Sequence, residues 1–309
     1  MLPDPGITSQ HERLSVEYSY PRWMVSRWAN QLGANELIEF LQWGNRRPHV
    51  TLRVNRLKST PEELRAKLTE KGIASITHPG FPEFLSLEHT GETGWQELFT
   101  LGIASAQDIS QGIVARLVDP QLGEEILDFC SAPGGKTGHL AELAQGASIV
   151  ATDKAEERLD LVRDLVRRNG YENVRVVSYD EIVGSKRKFD AILVDAPCSG
   201  TGVLARRPDL RWRRSPDDIG RMSAVQLSLL HYAADRLKSK GRIIYSTCSV
   251  EPEENNGVVD RFLEVRRDFE ERPVGDYLPS SIEVKSTRLS LLGTEFKTDG
   301  VFAAIIRKR

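Results

Sequence analysis

The chain has 309 residues, a formal net charge of −2 and three cysteines; that length allows one large domain or two ordinary ones with a full core, and the charge excludes a global cationic footprint, so any contact with nucleic acid must rest on local basic patches. Three widely spaced cysteines with no Cys-x-x-Cys pair argue against a disulfide framework and against a metal site. Met1-Leu2-Pro3-Asp4-Pro5 is no signal peptide and no apolar run approaches the roughly 20 residues of a membrane span, so a cytoplasmic protein with free thiols and no membrane contact is expected.

In chain order, residues 1–45 read as a helical segment, with Trp23, Arg27, Leu32, Leu37, Leu41 and Trp43 at helix-like intervals. Residues 46–103 read as a small α+β lobe. His49 to Asn55 alternates like a strand. Thr60 is a candidate N-cap and Pro61 sits in the first turn of a helix that ends before Gly72. Ile73 to Ile76 and Phe84 to Leu87 read as short strands. This β-α-β-β order predicts an RNA-recognition-like or ferredoxin-like lobe.

Residues 104–309 form the third unit. Ala104 to Val118 leads into a helix and marks the boundary. Beyond it, strand candidates at Glu125–Phe129, Ser148–Thr152, Val174–Ser178, Ala191–Val194 and Arg242–Ser246 alternate with helices, among them Ala155–Asn169 and Ile219–Ser239. The alternation predicts an α/β, Rossmann-like fold with a doubly wound, mostly parallel sheet. The segment from Glu295 to Arg307 reads as a hairpin arm returning to the sheet edge.

Each cysteine follows one of these strands, so all three arrive at the carboxyl edge of the sheet, where ligands gather in such folds. The first strand leads into Cys130-Ser131-Ala132-Pro133-Gly134-Gly135-Lys136-Thr137. Its glycines allow a tight turn and close backbone approach to a ligand. A P-loop would need glycine where Cys130 stands, and the dinucleotide fingerprint fails because Gly134 and Gly135 are adjacent. What remains is a glycine loop followed, about 20 residues on, by an acid at the next strand end, Asp153, placed to accept ribose hydroxyls. S-adenosyl-L-methionine, with a ribose and adenine but no phosphate, fits this pattern best. Asp180 after the third strand is a candidate for the adenine amino group, and Arg158 and Asp195 join the cofactor set. Cys130 belongs to the loop and is expected to pack, not to react.

Asp195-Ala196-Pro197-Cys198 ends the fourth strand, and Cys248 ends the fifth, so Asp195, Cys198 and Cys248 should converge. A thiolate, a carboxyl group and a sulfonium methyl donor suit methylation of cytosine at carbon 5. A thiolate added to carbon 6 makes carbon 5 nucleophilic, and an acid at N3 stabilises the developing charge. Chemistry alone does not rank the two cysteines. Arg206, Arg207, Arg211, Trp212, Arg213 and Arg214 form the best local patch for RNA, since arginine forks suit phosphates and an aromatic stacks on an unpaired base. Arg53 and Asn55 are further RNA candidates.

These motifs together resemble the RNA cytosine-5 methyltransferases of the Sun/RsmB family over nearly the whole chain. The cofactor motif appears as Cys130 to Lys136, with Ser131 where alanine is usual. Asp153 and Asp180 match the ribose and adenine acids, and Asp195 to Gly200 and Thr247 to Ser249 match the two cysteine motifs. Leu52-Arg53-Val54-Asn55 and Gln107-Asp108 with Ser110 also match. The resemblance implies that Cys248 is the nucleophile, that Cys198 helps release the product, and that Asp195 and Lys136 stand at the chemistry. Bacterial 16S rRNA members often carry a NusB-type N-terminal helical domain, which this chain, beginning close to Arg53, is expected to lack. The expected partner is RNA, with 16S rRNA as target and tRNA as the alternative, acted on by a monomer. A non-catalytic RNA-binding assembly factor is disfavoured, because a binding module needs none of Asp195, Cys198 and Cys248.

Overall fold

A computed structural model describes residues 9–89, 93–279, 282, 284 and 286–309. Three helices open it: α1 (Gln10–Tyr18), α2 (Arg22–Ala29) and α3 (Ala34–Asn45). They close around Trp28, which packs edge-on against Tyr20 and Phe40 with ring centroids 5.7 and 5.0 Å apart. Their core also takes in Leu204 and Leu210, so the helical segment sits directly on the chain that follows Cys198.

The small lobe follows as β1 (Thr51–Val54), α4 (Pro61–Glu70), β2 (Ser75–His78), β3 (Phe81–Leu87), α5 (Gln96–Thr100) and β4 (Ala104–Ala106). Its antiparallel sheet runs β2-β3-β1-β4. Helix α4 starts as its sequence dictates. The Thr60 hydroxyl accepts from the Glu63 amide (3.2 Å) and the Glu63 carboxylate accepts from the Thr60 amide (3.0 Å), satisfying two otherwise orphaned donors. One expectation changes. The stretch from Ala104 to Val118 does lead into a helix, but Ala104–Ala106 first pairs with β1, so the small sheet runs on past residue 103. The helix begins only after Asp108 caps it, as α6 (Ile109–Leu117).

The large unit continues as β5 (Glu125–Asp128), α7 (Gly135–Leu143), β6 (Ser148–Ala151), α8 (Glu156–Asn169), β7 (Val174–Val176), α9 (Tyr179–Gly184) and β8 (Phe189–Asp195). After it come α10 (Leu210–Arg213), α11 (Pro216–Asp235), β9 (Leu237–Thr247), α12 (Asn256–Val265), β10 (Phe269–Arg272), β11 (Leu289–Leu291) and β12 (Val301–Lys308). Among the described residues the sheet order is β10-β12-β9-β8-β5-β6-β7, with β11 beside β12. The stretch from β9 to β7 is parallel. Ile126, Ile149 and Leu193 face one buried layer, and Leu127, Val150 and Ile192 face the other. Coverage on both faces explains why these strands read as unbroken apolar runs.

Two boundaries differ from the sequence reading. Helix α11 stops at Asp235, because Leu237 is buried in β9 opposite Phe189; the run Arg236 to Lys240 holds no breaker to mark that change. The C-terminal arm does not sit at the edge either. β12 lies between β9 and β10, antiparallel to both, and the partner β10 was not legible as a strand.

Arg53 and Asn55 turn out to hold the small lobe to the large unit, which removes them from the RNA candidates. Arg53 is fully buried, ion-paired to Glu142 at 2.8 Å and donating to Gln107 Oε1 at 2.7 Å. Asn55 donates to the carbonyls of Gly102 (2.8 Å) and Asn169 (3.1 Å). The sequence marks both as special but does not show that another segment covers them. Arg53→Ala would strand the Glu142 carboxylate in the interior. We expect a loss of about 3–5 kcal/mol, read as a lower denaturation midpoint at an unchanged m-value.

Candidate active site

The chain leaves β5 toward β6 and β7 on one side and returns to β8 and β9 on the other. That reversal opens a crevice outside the carboxyl ends of β5 and β8. The loop after β5 is pinned there: the Ser131 amide donates to Thr152 O (3.0 Å) and the Gly134 amide to Ser131 O (2.7 Å). Gly134 has φ of 105°, a conformation that a side chain would strain. The Asp153 carboxylate accepts from the amides of Ala132 (3.0 Å) and Ala155 (2.9 Å), and Arg158 donates to Ala132 O (2.8 Å). Asp153 and Arg158 therefore shape the cofactor loop as well as lining the cleft beside it.

Two connected recesses result. The larger, of about 730 Å³, is walled by Ala132, Asp153, Arg158, Tyr179, Pro197, Cys198 and Cys248 among others. The second, of about 390 Å³, includes Gln107, Asp128, Ser131, Pro133, Gly135 and Lys136. Cys130, Ala132 and Asp195 belong to both. In the second recess Asp128 Oδ1, Ser131 Oγ and Gln107 Nε2 are buried without a hydrogen-bond partner. Burial pushes the Asp128 carboxyl up to about 7, with Asp195 and Asp153 adding to the rise against the Thr137 hydrogen bond. An acceptor and two donors left unpaired in one recess suit the ammonium and carboxylate of an amino-acid group. The larger recess, with Asp153 and the ring of Tyr179, suits a nucleoside. Asp128 and Gln107 were not read as cofactor residues; an acid one turn before the glycine loop was the available signal.

Asp180 is placed differently from its expectation. β7 ends at Val176 and Ser178 caps α9, its hydroxyl accepting from the Glu181 amide. Asp180 consequently stands exposed in the first turn of that helix, and Tyr179 takes the position on the cleft wall. Cys130 is deep in the loop, its thiol pushed well up by burial and then by Asp153, Asp195 and Asp128.

The other two cysteines meet. β8 and β9 are parallel neighbours, and the Ala196 amide donates to Ser246 O (2.8 Å), which carries the two strand ends forward together. Cys198 Sγ and Cys248 Sγ stand 3.1 Å apart. Gly202 makes this approach possible: its amide donates to Cys248 O, and a Cβ there would lie 2.8 Å from that oxygen. The Cys198 thiol is pushed well up by its hydrogen bond to Cys248, then by burial. Asp195 accepts from Lys136 Nζ (2.6 Å) and from the Ser246 hydroxyl (2.8 Å), and Lys136 also meets Gln111. Of that ion pair, Asp195 is the more open to the cleft, 29% exposed against 8% for Lys136.

The basic patch divides. Arg211 is buried under the N-terminal helices, donating to Gly44 O and Asn45 Oδ1 (both 2.6 Å) and stacked on Tyr20. Arg206 bridges Asp108 and Asp299, and Arg214 donates to Ser199 O. Arg211 is thereby committed to the fold, contrary to its reading as an RNA contact, because α1–α3 cover it from far away in sequence, while Arg206 and Arg214 pair with neighbouring groups and still line the recesses. Arg207, Trp212 and Arg213 remain exposed, the two arginines leaning on Asp209. Cations that the sequence reading missed line a third recess: Arg46, Arg47 and Lys297, with Trp43 and His49. Among the described residues none of the three has a carboxylate within ion-pairing distance. This recess shares Thr51, Arg206 and Asp299 with the second one.

Residues 115–307 match the family model described as 16S rRNA methyltransferase RsmB/F, and residues 20–93 match the ferredoxin-like domain of RsmF/B-like methyltransferases. The chain belongs to the RsmB/F methyltransferase family. It is similar to the probable ribosomal RNA small subunit methyltransferase B of Bacillus subtilis, 34% identical over 96% of this chain and 68% of that protein. The ribosomal RNA small subunit methyltransferase B of Klebsiella pneumoniae is 36% identical over 97% of this chain and 68% of its own. Among solved structures, a methyltransferase homolog protein from Pyrococcus horikoshii superposes with a TM-score of 0.82 at 30% identity, covering 98% of this chain and all of that one. NSun6 from Pyrococcus horikoshii, crystallised with SFG, shares the fold at 22% identity and a TM-score of 0.80, over 92% of this chain and 97% of that one. The resemblance, the Rossmann-like fold and the small ferredoxin-like lobe read from the sequence are borne out. As an RsmB/F member the chain is an S-adenosylmethionine-dependent RNA methyltransferase. The unpaired Asp128, Ser131 and Gln107 groups fit that cofactor's amino-acid end, and Asp153 with Tyr179 fits its nucleoside end. No helix among the described residues is long and apolar enough to cross a membrane.

Proposed function

We propose that this chain methylates carbon 5 of a cytosine in small-subunit rRNA through a covalent bond between Cys248 and carbon 6. The observation that carries the reading is the pair of thiols 3.1 Å apart beside the Lys136–Asp195 pair, all on the cleft that fits the cofactor. The choice of rRNA follows the small-subunit methyltransferases of Bacillus and Klebsiella that the chain resembles.

The Cys248 thiolate adds to carbon 6, and the ring electrons move toward carbon 5 and N3. The Lys136–Asp195 pair carries one exchangeable proton, and Asp195, on the open side, presents it at N3. Bound in the cleft, S-adenosylmethionine would supply an electrophilic methyl group to carbon 5, the broken sulfur–methyl pair staying on its sulfur as a neutral thioether. With Cys248 now bonded to carbon, its sulfur carries no negative charge, and the contact that most raised the Cys198 thiol is weakened. Cys198 gives its proton to water and, as thiolate, removes the proton on carbon 5. That C–H electron pair restores the 5,6 double bond, the carbon–sulfur pair returns to Cys248, and N3 gives its proton back to the Lys136–Asp195 pair. Stacking would block attack on carbon 6, so the target base must be unpaired or flipped out.

Arg207, Trp212 and Arg213, with Arg46, Arg47 and Lys297, form the proposed RNA-facing surface. The combined variant Arg46→Ala, Arg47→Ala, Lys297→Ala should weaken RNA binding and lower the slope of log affinity against log salt by about 2. Filter binding across a salt series measures it, and an unchanged slope removes this recess from the interface. Bisulfite mapping of total RNA with and without the gene tests the target. A 5-methylcytosine lost from small-subunit rRNA is expected; loss from tRNA alone would replace rRNA with tRNA.

A further inference from the structure

Glu254 belongs to neither cysteine motif, yet it ties them together. It is buried behind the two thiols. One carboxylate oxygen accepts from the Ser199 amide (2.8 Å) and from Gln226 Nε2 (3.0 Å). The other accepts from the Ser249 hydroxyl (2.5 Å) and from the Ser199 hydroxyl. Ser199 and Ser249 are the residues immediately after Cys198 and Cys248. Four hydrogen bonds converge on the two oxygens; the Ser199 amide and Gln226 Nε2 can only donate, and the two hydroxyls donate to a carboxylate. Burial raises the Glu254 carboxyl above its ordinary value, more than these hydrogen bonds lower it; the two N–H donors hold it as the anion.

The charge is not placed evenly between the thiols. On the Cys198 side Glu254 grips the main chain, through the Ser199 amide. On the Cys248 side it holds only a side chain, Ser249 Oγ. Two of the surrounding charges run the same way. Glu254 is among the groups that raise the Cys198 thiol, and the exposed Arg207 guanidinium faces Cys248 across the cleft. Arg214, which meets the carbonyls of Ser199 and Cys198, is the opposing charge, and Glu254 outweighs it from inside the protein. Asp195 is offset by Lys136, and the neutral Tyr245 phenol donates to the Glu254 carbonyl (2.5 Å).

We propose that Glu254 is a positioning residue which clamps the two cysteine loops together and, by a fixed negative charge beside Cys198, keeps the proton shared by the thiols on Cys198 and the thiolate on Cys248. This rests on the assignment of Cys248 as nucleophile and Cys198 as release partner. It supplies what that assignment needs: two thiols in contact lose one proton as a pair, and something outside the pair must decide which sulfur keeps the other.

Alkylation by iodoacetamide at neutral pH, followed by mass spectrometry of the two cysteine peptides, tests this without RNA or methyl transfer. Wild-type protein should label Cys248 faster than Cys198. Glu254→Gln, nearly the same shape without the charge, should lower that ratio by about tenfold, the change expected of one pKa unit. Glu254→Asp keeps the charge but withdraws it, and should fall between them. Faster labelling of Cys198 in wild type, or the same ratio in wild type and Glu254→Gln, would overturn the proposal. If Glu254→Gln does not fold, the aspartate variant decides, and an unchanged ratio there overturns it equally. Failure of the nucleophile assignment itself would show as methyl transfer persisting without the Cys248 thiol, a separate measurement.

Discussion

Cys248→Ser is expected to lower methyl transfer by at least about 10³-fold, a barrier increase of about 4 kcal/mol, while cofactor affinity stays within a factor of two or so. The reason lies in what changes and what does not. A serine hydroxyl fills the same space and can keep its hydrogen bond to Cys198, so the 3.1 Å contact and the Glu254 clamp survive. The alkoxide that attack would need is scarcely populated at neutral pH, whereas a cysteine thiol ionises far more readily and its thiolate is the stronger nucleophile. The groups that fit the cofactor's amino-acid end, Asp128, Ser131 and Gln107, lie in the recess that Cys248 does not line. Transfer of a labelled methyl group to RNA measures the rate, and calorimetric titration with the cofactor measures binding. Wild-type activity in this variant would end the assignment.

What could be read in the sequence depended on how local the determinant was. The glycine loop, Asp153 and the two cysteine motifs each occupy a strand end and the few residues beyond it. Parallel strands bring such ends to one edge, so convergence of Cys198 and Cys248 followed once β8 and β9 were recognised as neighbours. Arg53, Asn55 and Arg211 failed for the opposite reason. Each is polar and stands in a suggestive stretch, but what covers it comes from far away: Glu142 over Arg53, Asn169 over Asn55, and Tyr20 with Gly44 over Arg211. Arg46 and Arg47 show the converse. They look like an unremarkable end of a helix until the fold sets Lys297 opposite them. Glu254 follows Cys248 by six residues, close enough to be noticed, but its meaning depends on Ser199 and Gln226 from two other segments. Asp180 was displaced by a small effect, a strand two residues shorter than its pattern and a serine cap that starts the next helix early.

Cys198→Ala should have a different signature from loss of Cys248: a protein–RNA adduct that resists denaturant and builds up in the presence of S-adenosylmethionine. Attack by Cys248 does not need the Cys198 sulfur, so the bond to carbon 6 still forms and carbon 5 is still methylated. The remaining step needs a base within reach of the carbon 5 proton. Among the side chains at this end of the cleft, Asp195 is held by Lys136 and Ser246, and Glu254 is shut behind Ser199 and Ser249 with all four of its contacts taken. Neither is free to replace the thiol, and the adduct waits for adventitious water. A gel-shifted band after heating in detergent, with the methyl label retained in it, is the expected result. The double variant Cys198→Ala, Cys248→Ser should give no band, because the bond that traps the RNA is then never made. An absence of adduct in the single variant, with substrate RNA shown to bind, would mean that another group takes the proton and that Cys198 serves only to hold the Cys248 thiolate in place.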